Sequence, residues 1–477
     1  MRWLFCFTLL GSWGSSVLAQ ADKPISFIND VAPILKENCF ACHDSKKKSG
    51  KYDMTTYEKI MAGGAAGEGI TAGKHAESEV YTLMVTDKER RMPPRKDNLS
   101  PVPKPQTEII KKWIDQGAKL DAGIDPKADL IKELRKRWKA PNAPESYPFP
   151  AVVNALAFTP DGKSLVVGGH HELTVWDYEN AKLLKRIATR AERAYAMLFL
   201  PNGKLVVAGG RPGQEGDVRI YDVSVSGKEQ NGVQRLDGIN DPKVMLKQLI
   251  ETDDSVLCLA LSADGKYLAS GGCDRTIRLW DWAADKLEQT IENHADWVMG
   301  LAFSRDGKFL FSAGRDKTAK VWNIQAKESV LTFADHQNVV YGVACKTDGK
   351  AGISAGADRQ VRTWNSSGEA KQIKVLGAHN DEILKLIAHN NKPLFITASA
   401  DKTVKLWDLD AGTNTKTLTG LTDHVFASCF NQDATLVAAG GYDGMVAVWK
   451  IDGTLVKSFN ASPGYVPPTP PAEPKKK

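Results

Sequence analysis

Apolar and polar positions along this chain change their spacing from one region to the next. Trp3 to Leu10 is a short unbroken apolar run behind the positive Met1-Arg2 end, and small residues follow at Gly14, Ser15 and Ser16. From Phe27 the apolar positions Phe27, Val31, Ile34 and Leu35 fall at helical spacing, with Asn29 or Asp30 as cap and Pro33 tolerated in the first turn. The pattern predicts further helices at Thr55–Met61, Ser78–Val85 and Gln106–Gln116. Residues 25–123 therefore read as a small all-α domain of about 100 residues. Residues 124–150 carry Leu130, Ile131 and Leu134 in a basic helical pattern and end in the proline-rich Pro141–Pro150, which reads as helix plus linker. Strand-like segments then repeat over residues 151–460, and the Pro- and Lys-rich 461–477 reads as a disordered tail.

The repeat is best seen from the aromatic that ends each unit: Trp176, Tyr221, Trp280, Trp322, Trp364, Trp407 and Trp449. Their intervals are 45, 59, 42, 42, 43 and 42 residues. Six positions earlier stand His170, Glu215, Asp274, Asp316, Asp358, Asp401 and Asp443, and ten positions earlier Ser270, Ser312, Ser354 and Thr397 in the middle units. His294, His336 and His379 lie twenty-eight positions before their aromatics, and His424 twenty-five before the last. This register resembles that of WD repeats and implies an all-β seven-bladed propeller, one four-stranded blade per unit. The polar positions then form a buried His–Ser/Thr–Asp–Trp network, a scaffold and not a catalytic triad. The long second interval places an insertion within about Val223–Asp254, a location where propellers commonly carry binding function. Thr454–Phe459 supplies the outer strand of the last blade, so ring closure needs no strand exchange.

Composition adds compartment and partner class. The formal charge of +6 over 477 residues is a poor basis for nucleic-acid binding. The N-terminal pattern reads as a signal peptide over residues 1–21, cleaved after Ala19 or Ala21, so the protein is expected to be exported, periplasmic or secreted from a bacterium. No later segment has the run of about 18 apolar residues that a membrane helix needs. Cys258, Cys273, Cys345 and Cys429 show no framework spacing and read as single buried thiols.

Chemistry concentrates at Cys39-Phe40-Ala41-Cys42-His43. Two thiols three positions apart can add to the two vinyl groups of a haem, and the next histidine reaches its iron. One covalently attached haem c is expected. The other axial ligand is sought among Met54, Met61, Met84, Met92 and His75. Met92, in Arg91-Met92-Pro93-Pro94, is favoured because prolines present the thioether on an extended loop. Met84 reads as a core residue, and His75 would give bis-histidine ligation.

Phe27 to Leu35, the Cys39–His43 motif, the Met92-Pro93-Pro94 loop and Trp113-Ile114-Asp115-Gln116-Gly117-Ala118 together resemble the planctomycete-type cytochrome c domain. The resemblance implies Cys39 and Cys42 as covalent attachments, His43 and Met92 as axial ligands, and electron transfer. Lys46–Lys48, Lys88, Arg90, Arg91, Arg95 and Lys96 would form a basic rim for an acidic redox partner. The expected function is that of an electron carrier whose propeller docks another protein. The alternatives are a periplasmic redox enzyme with a second cofactor in the propeller, and a haem-based sensor. Against the enzyme, four histidines fall at tetrad positions and His170 at another, leaving His171 and His389 as spare propeller ligands.

Overall fold

The structure, a computed structural model, describes residues 23–45, 47–94, 99–377 and 379–466. The signal reading, Lys46, Arg95, Lys96 and the tail from 467 onward fall outside them. The chain divides into two compact units, Met1–Lys139 and Ala140–Lys477.

The first unit opens on a π-helical turn, Phe27–Val31, that runs into α1 (Ala32–Asn38). Its cap is Ser26, not Asn29 or Asp30. The Ser26 hydroxyl accepts from the Asn29 amide, and the Asp30 carboxylate accepts from the Ser26 amide, a reciprocal pair that satisfies two end donors. Helices α2 (Tyr57–Ala62), α3 (Glu79–Val85) and α4 (Lys104–Asp115) lie where the apolar spacing predicts them. Phe27 is buried at the centre, with Tyr57 and Trp113 each 5.1 Å from its ring. The turn after α4 works as a clasp. Tyr57 donates to the Ala118 carbonyl, Trp113 to that of Lys119, and Gln116 accepts from the Ile25 amide.

A fifth helix, α5 (Leu130–Arg137), differs from its reading as part of a linker. Asp129 caps it by accepting from the amides of Ile131 and Lys132, and Leu130 is buried in the core of the first unit. The proline-rich segment differs too. Arg186, buried with Glu172, donates to the carbonyls of Pro144 and Glu145, and Tyr147 donates to the Glu172 carboxylate. Residues 144–147 thus belong to the second unit.

That unit is a seven-bladed β-propeller. Blades 3 to 7 are consecutive four-stranded antiparallel meanders: Val256–Ile291, Val298–Phe333, Val340–Gly377, Ile383–Leu418 and Val425–Asn460. Leu455–Asn460 is the outer strand of blade 7, as its sequence predicts. Closure comes from short contacts between the ends: the Val153 amide donates to Gly441, that of Tyr147 to Pro463 and that of Ala151 to the Ser462 hydroxyl.

The insertion is built, not loose. Lys228–Gln230 and Val233–Asp237 form a hairpin, and the second strand pairs in parallel with Lys182–Ala188, the outer strand of blade 1. The chain then returns through Met245–Thr252 as the outer strand of blade 2. Blade 1 is thereby a six-stranded sheet.

Candidate haem site

Helix α1 delivers Cys39 to its C-terminal end, where the Cys39 amide still donates to Leu35. The amides of Cys42 and His43 both donate to the Cys39 carbonyl, at 3.1 and 3.0 Å, so the motif closes into one turn. Phe40, between the cysteines, is buried in the core and anchors that turn. Both thiols are free. Burial, with a smaller contribution from Cys42, pushes the Cys39 thiol up to about 12.

His43 is held from the other side. Its Nδ1 stands 3.1 Å from the Tyr52 carbonyl oxygen, and its own carbonyl accepts from the Met54 amide. A carbonyl can only accept, so Nδ1 carries the proton and the lone pair lies on Nε2. Histidines that ligate metals are commonly oriented by such a bond at the other ring nitrogen. The Tyr52 ring packs edge-on to the imidazole at 5.6 Å, and its hydroxyl donates to Ile60. Gly69 makes room for that ring, since a Cβ there would stand 2.5 Å from the Tyr52 hydroxyl, and Gly64 makes room for the Tyr52 backbone, since a Cβ there would stand 2.8 Å from the Tyr52 Cβ. Tyr52 and its two glycines escape motif reading. The only available signal is the glycine-rich run Gly63-Gly64-Ala65-Ala66-Gly67-Glu68-Gly69. Two free thiols on one turn and an imidazole with an available Nε2 suit a haem c.

The sixth-ligand candidates lie in different settings. Met92 is 39% exposed on the loop after α3, its amide donating to the Leu83 carbonyl. Arg91 is turned inward and donates to the carbonyls of Pro93 and Leu99, which removes it from the expected basic rim. Arg90 pairs with Glu79, and Lys47 donates to the Ala41 carbonyl of the motif. Met54 and Met84 are core residues, and Met61 packs against that core. His75 pairs through Nδ1 with Asp115 at 2.7 Å.

The segment from Cys39 through the Met92 loop, residues 39–96, matches the family described as planctomycete cytochrome C. Six segments between residues 147 and 450 match the WD domain, G-beta repeat. The chain joins a planctomycete-type cytochrome c domain to a WD-repeat propeller. The cytochrome family points to haem c as cofactor, and the combination supports a protein-interaction scaffold. Residues 178–243, which hold the outer strand of blade 1, three strands of blade 2 and the hairpin added to blade 1, fall between the matched repeats although they complete the ring.

Among curated proteins the chain is 27% identical to U3 small nucleolar RNA-associated protein 12 of Saccharomyces cerevisiae over 135 residues, 28% of this chain and 12% of that protein. It is 24% identical to Protein groucho of Drosophila melanogaster over 27% of this chain and 15% of that protein. It is 30% identical to Transcription factor unc-37 of Caenorhabditis elegans over 26% and 18%. The matches thus span less than a fifth of each relative.

Among the described residues the WD network forms in three blades. In blade 4, Trp322 donates to the Ser312 hydroxyl at 2.9 Å, Ser312 donates to His294 Nε2 at 2.7 Å, and His294 Nδ1 donates to Asp316 at 2.9 Å. His336, Ser354, Asp358 and Trp364 repeat this in blade 5, and His379, Thr397, Asp401 and Trp407 in blade 6. The expected extension to blade 7 fails. Trp449 donates to the Thr419 carbonyl, and Asp443 accepts from Thr422, not from His424. Shortening the spacing from twenty-eight to twenty-five residues moves the imidazole out of register. In blade 3, which has no histidine at the matching position, Trp280 Nε1 has no partner among the described residues. His389, one of the two spare propeller histidines, donates from Nε2 to Gln432 and accepts at Nδ1 from the Asn391 and Lys392 amides.

Proposed function

We propose that this chain is an exported mono-haem c-type cytochrome that transfers electrons, with the propeller docking it to a partner protein. The observation that carries the reading is the arrangement at His43: a turn with two free thiols, and an imidazole oriented by the Tyr52 carbonyl so that Nε2 is available. Cys39 and Cys42 would hold the haem through thioethers, His43 would be its proximal ligand, and Met92 the distal one. Haem so ligated supplies one-electron chemistry with no open coordination position. The protein's part is to keep the imidazole in one tautomer, bury one face of the site against α1, and order the ligand loop through Arg91.

The apolar Trp3–Leu10 run and the small residues after it support export. WD propellers most often serve as interaction modules, and the match to that family supports the docking role. The deciding experiment is the oxidised and reduced optical spectrum of mature protein made in a host that attaches haem c. A ferric iron–thioether charge-transfer band is expected, absent in Met92→Ala. A five-coordinate or bis-nitrogen spectrum, unchanged by that substitution, would remove Met92 and favour sensing or catalysis over electron transfer.

A further inference from the structure

The network histidines His294, His336 and His379 are buried, whereas His424 of blade 7 is exposed. It stands just before the first strand of that blade, Val425–Phe430, and Tyr442 stands just after the second, Leu436–Gly441. The Tyr442 amide donates to the His424 carbonyl at 2.9 Å, which holds the two residues side by side. The strand pairing shifts between Val425 and Ala427, and a bulge of this kind re-aims the side chain it carries, here Phe426. The half-buried Phe426 ring lies 6.4 Å from that of His424 and 6.2 Å from that of Tyr442, which is 56% exposed. Single exposed apolar residues are ordinary on a protein surface, but three rings packed together at one end of one blade are not single.

Charge says what such a cluster would accept. From Thr417 to Trp449 the chain has no Lys or Arg and three aspartates, Asp423, Asp433 and Asp443. Asp423 is next in sequence to His424, and Asp443 to Tyr442. Asp423 accepts from the His424 amide, and Asp443 from the Met445 amide and the Thr422 hydroxyl; neither forms an ion pair among the described residues. Carboxylates repel the phosphates of a nucleic acid or an anionic lipid. Ring faces attract cations, and a guanidinium suits both groups because it can lie flat on a ring while its edge donates to a carboxylate.

We propose that this end of blade 7 docks an arginine-bearing segment of a partner protein, with Phe426 and Tyr442 as the aromatic platform and Asp423 and Asp443 as counter-charges. The inference rests on the docking reading of the propeller and names the chemistry of its partner.

The test is fluorescence anisotropy of the full haem-loaded chain with a labelled peptide of alternating Arg and Gly. Peptides with Lys or Glu in place of Arg are the controls. Saturable binding of the Arg peptide is expected, weaker with Lys, absent with Glu and falling with added salt. Tyr442→Ala should weaken it about fivefold, the size of one exposed ring–cation contact. Asp423→Asn keeps an acceptor for the His424 amide, and should weaken binding and flatten its salt dependence. No saturable binding, equal affinity for either control peptide, or undiminished affinity in Tyr442→Ala would each overturn the proposal. Should that variant fail to fold, unchanged affinity and salt dependence in Asp423→Asn overturns it equally. Association of the chain with itself that Tyr442→Ala abolishes would make a second copy the occupant, and overturns it too. Each of these outcomes concerns this face alone, so the docking reading would still stand or fall on the rest of the propeller.

Discussion

The Tyr52 carbonyl oxygen lies 3.1 Å from His43 Nδ1, nine residues along the chain from the imidazole it orients. Tyr52 can stay there because its ring packs beside that imidazole while its hydroxyl is fastened to Ile60, with Gly69 leaving room at the hydroxyl and Gly64 at the Cβ. The Cys39–His43 turn therefore depends on a segment outside it.

Gly69→Ala tests that dependence. The added Cβ falls within 3.0 Å of three Tyr52 atoms, so the ring must shift, and small-to-large changes in packed sites cost about 1–3 kcal/mol. The expected result is a protein that still attaches haem but whose axial-ligand band weakens and whose unfolding midpoint falls. Tyr52→Phe keeps the ring and the carbonyl and should leave the band in place. An unaltered spectrum and midpoint in Gly69→Ala would show that Tyr52 does not orient His43.

The WD network predicts unequal costs for similar substitutions. Ser312→Ala leaves Trp322 Nε1 and His294 Nε2 without their partner, and each buried group so stranded costs about 1–3 kcal/mol. In blade 3 the indole of Trp280 is already unpartnered, so Ser270→Ala should cost clearly less. Urea denaturation of the two variants checks this, and equal destabilisation would contradict it.

Arg186 and Glu172 form a buried pair with two contacts, 2.6 and 2.8 Å, which also ties down residues 144–147. Glu172→Gln should destabilise by about 3–5 kcal/mol, the cost of stranding a buried charge. The double variant Glu172→Gln/Arg186→Met should recover part of that loss, because no charge is left unpaired. Limited proteolysis between residues 140 and 150 should speed up in the single variant.

Acid should weaken the middle blades in two stages. Burial lowers the proton affinity of His379, against the opposing pull of Asp401, so the unfolded chain takes up that proton first. Stability should begin to fall as pH drops below about 6.5, the ordinary histidine value. Burial opposes ionisation of Asp316, Asp358 and Asp401, but hydrogen bonds outweigh it and hold all three below the usual carboxylate range, donated chiefly by the facing histidine to Asp316 and Asp358 and by Thr403 and the Asn380 amide to Asp401. Their contribution is complete above about pH 4 and is lost as pH falls through their folded values. Urea midpoints from pH 7 to pH 3 should trace this course. Asp316→Asn should start lower and fall less steeply in the acid limb.

Sequence by itself determined what depends on local spacing. The Cys39–His43 turn is legible because both thiols and the imidazole lie within five residues, and the blades because a four-stranded meander repeats about every 42 residues. The helices α2 to α4 follow from apolar periodicity for the same reason. Tertiary structure decided what joins distant residues. The basic helix α5 is legible as a helix, but that it packs on the first unit shows only when Leu130 meets that core, and the insertion reads as a loop until Val233–Asp237 finds the edge of blade 1. His424 has the right residue type and fails because it lies three residues past the position the network uses, which Leu421 occupies, while Ala439 stands where the hydroxyl would be. Lys385 looks like any strand lysine, and only closure of the ring places it in a cavity that no carboxylate lines. Burial and pairing between distant segments belong to the assembled fold, because the free energy of a charged or polar group is set by what surrounds it and not by its neighbours in sequence.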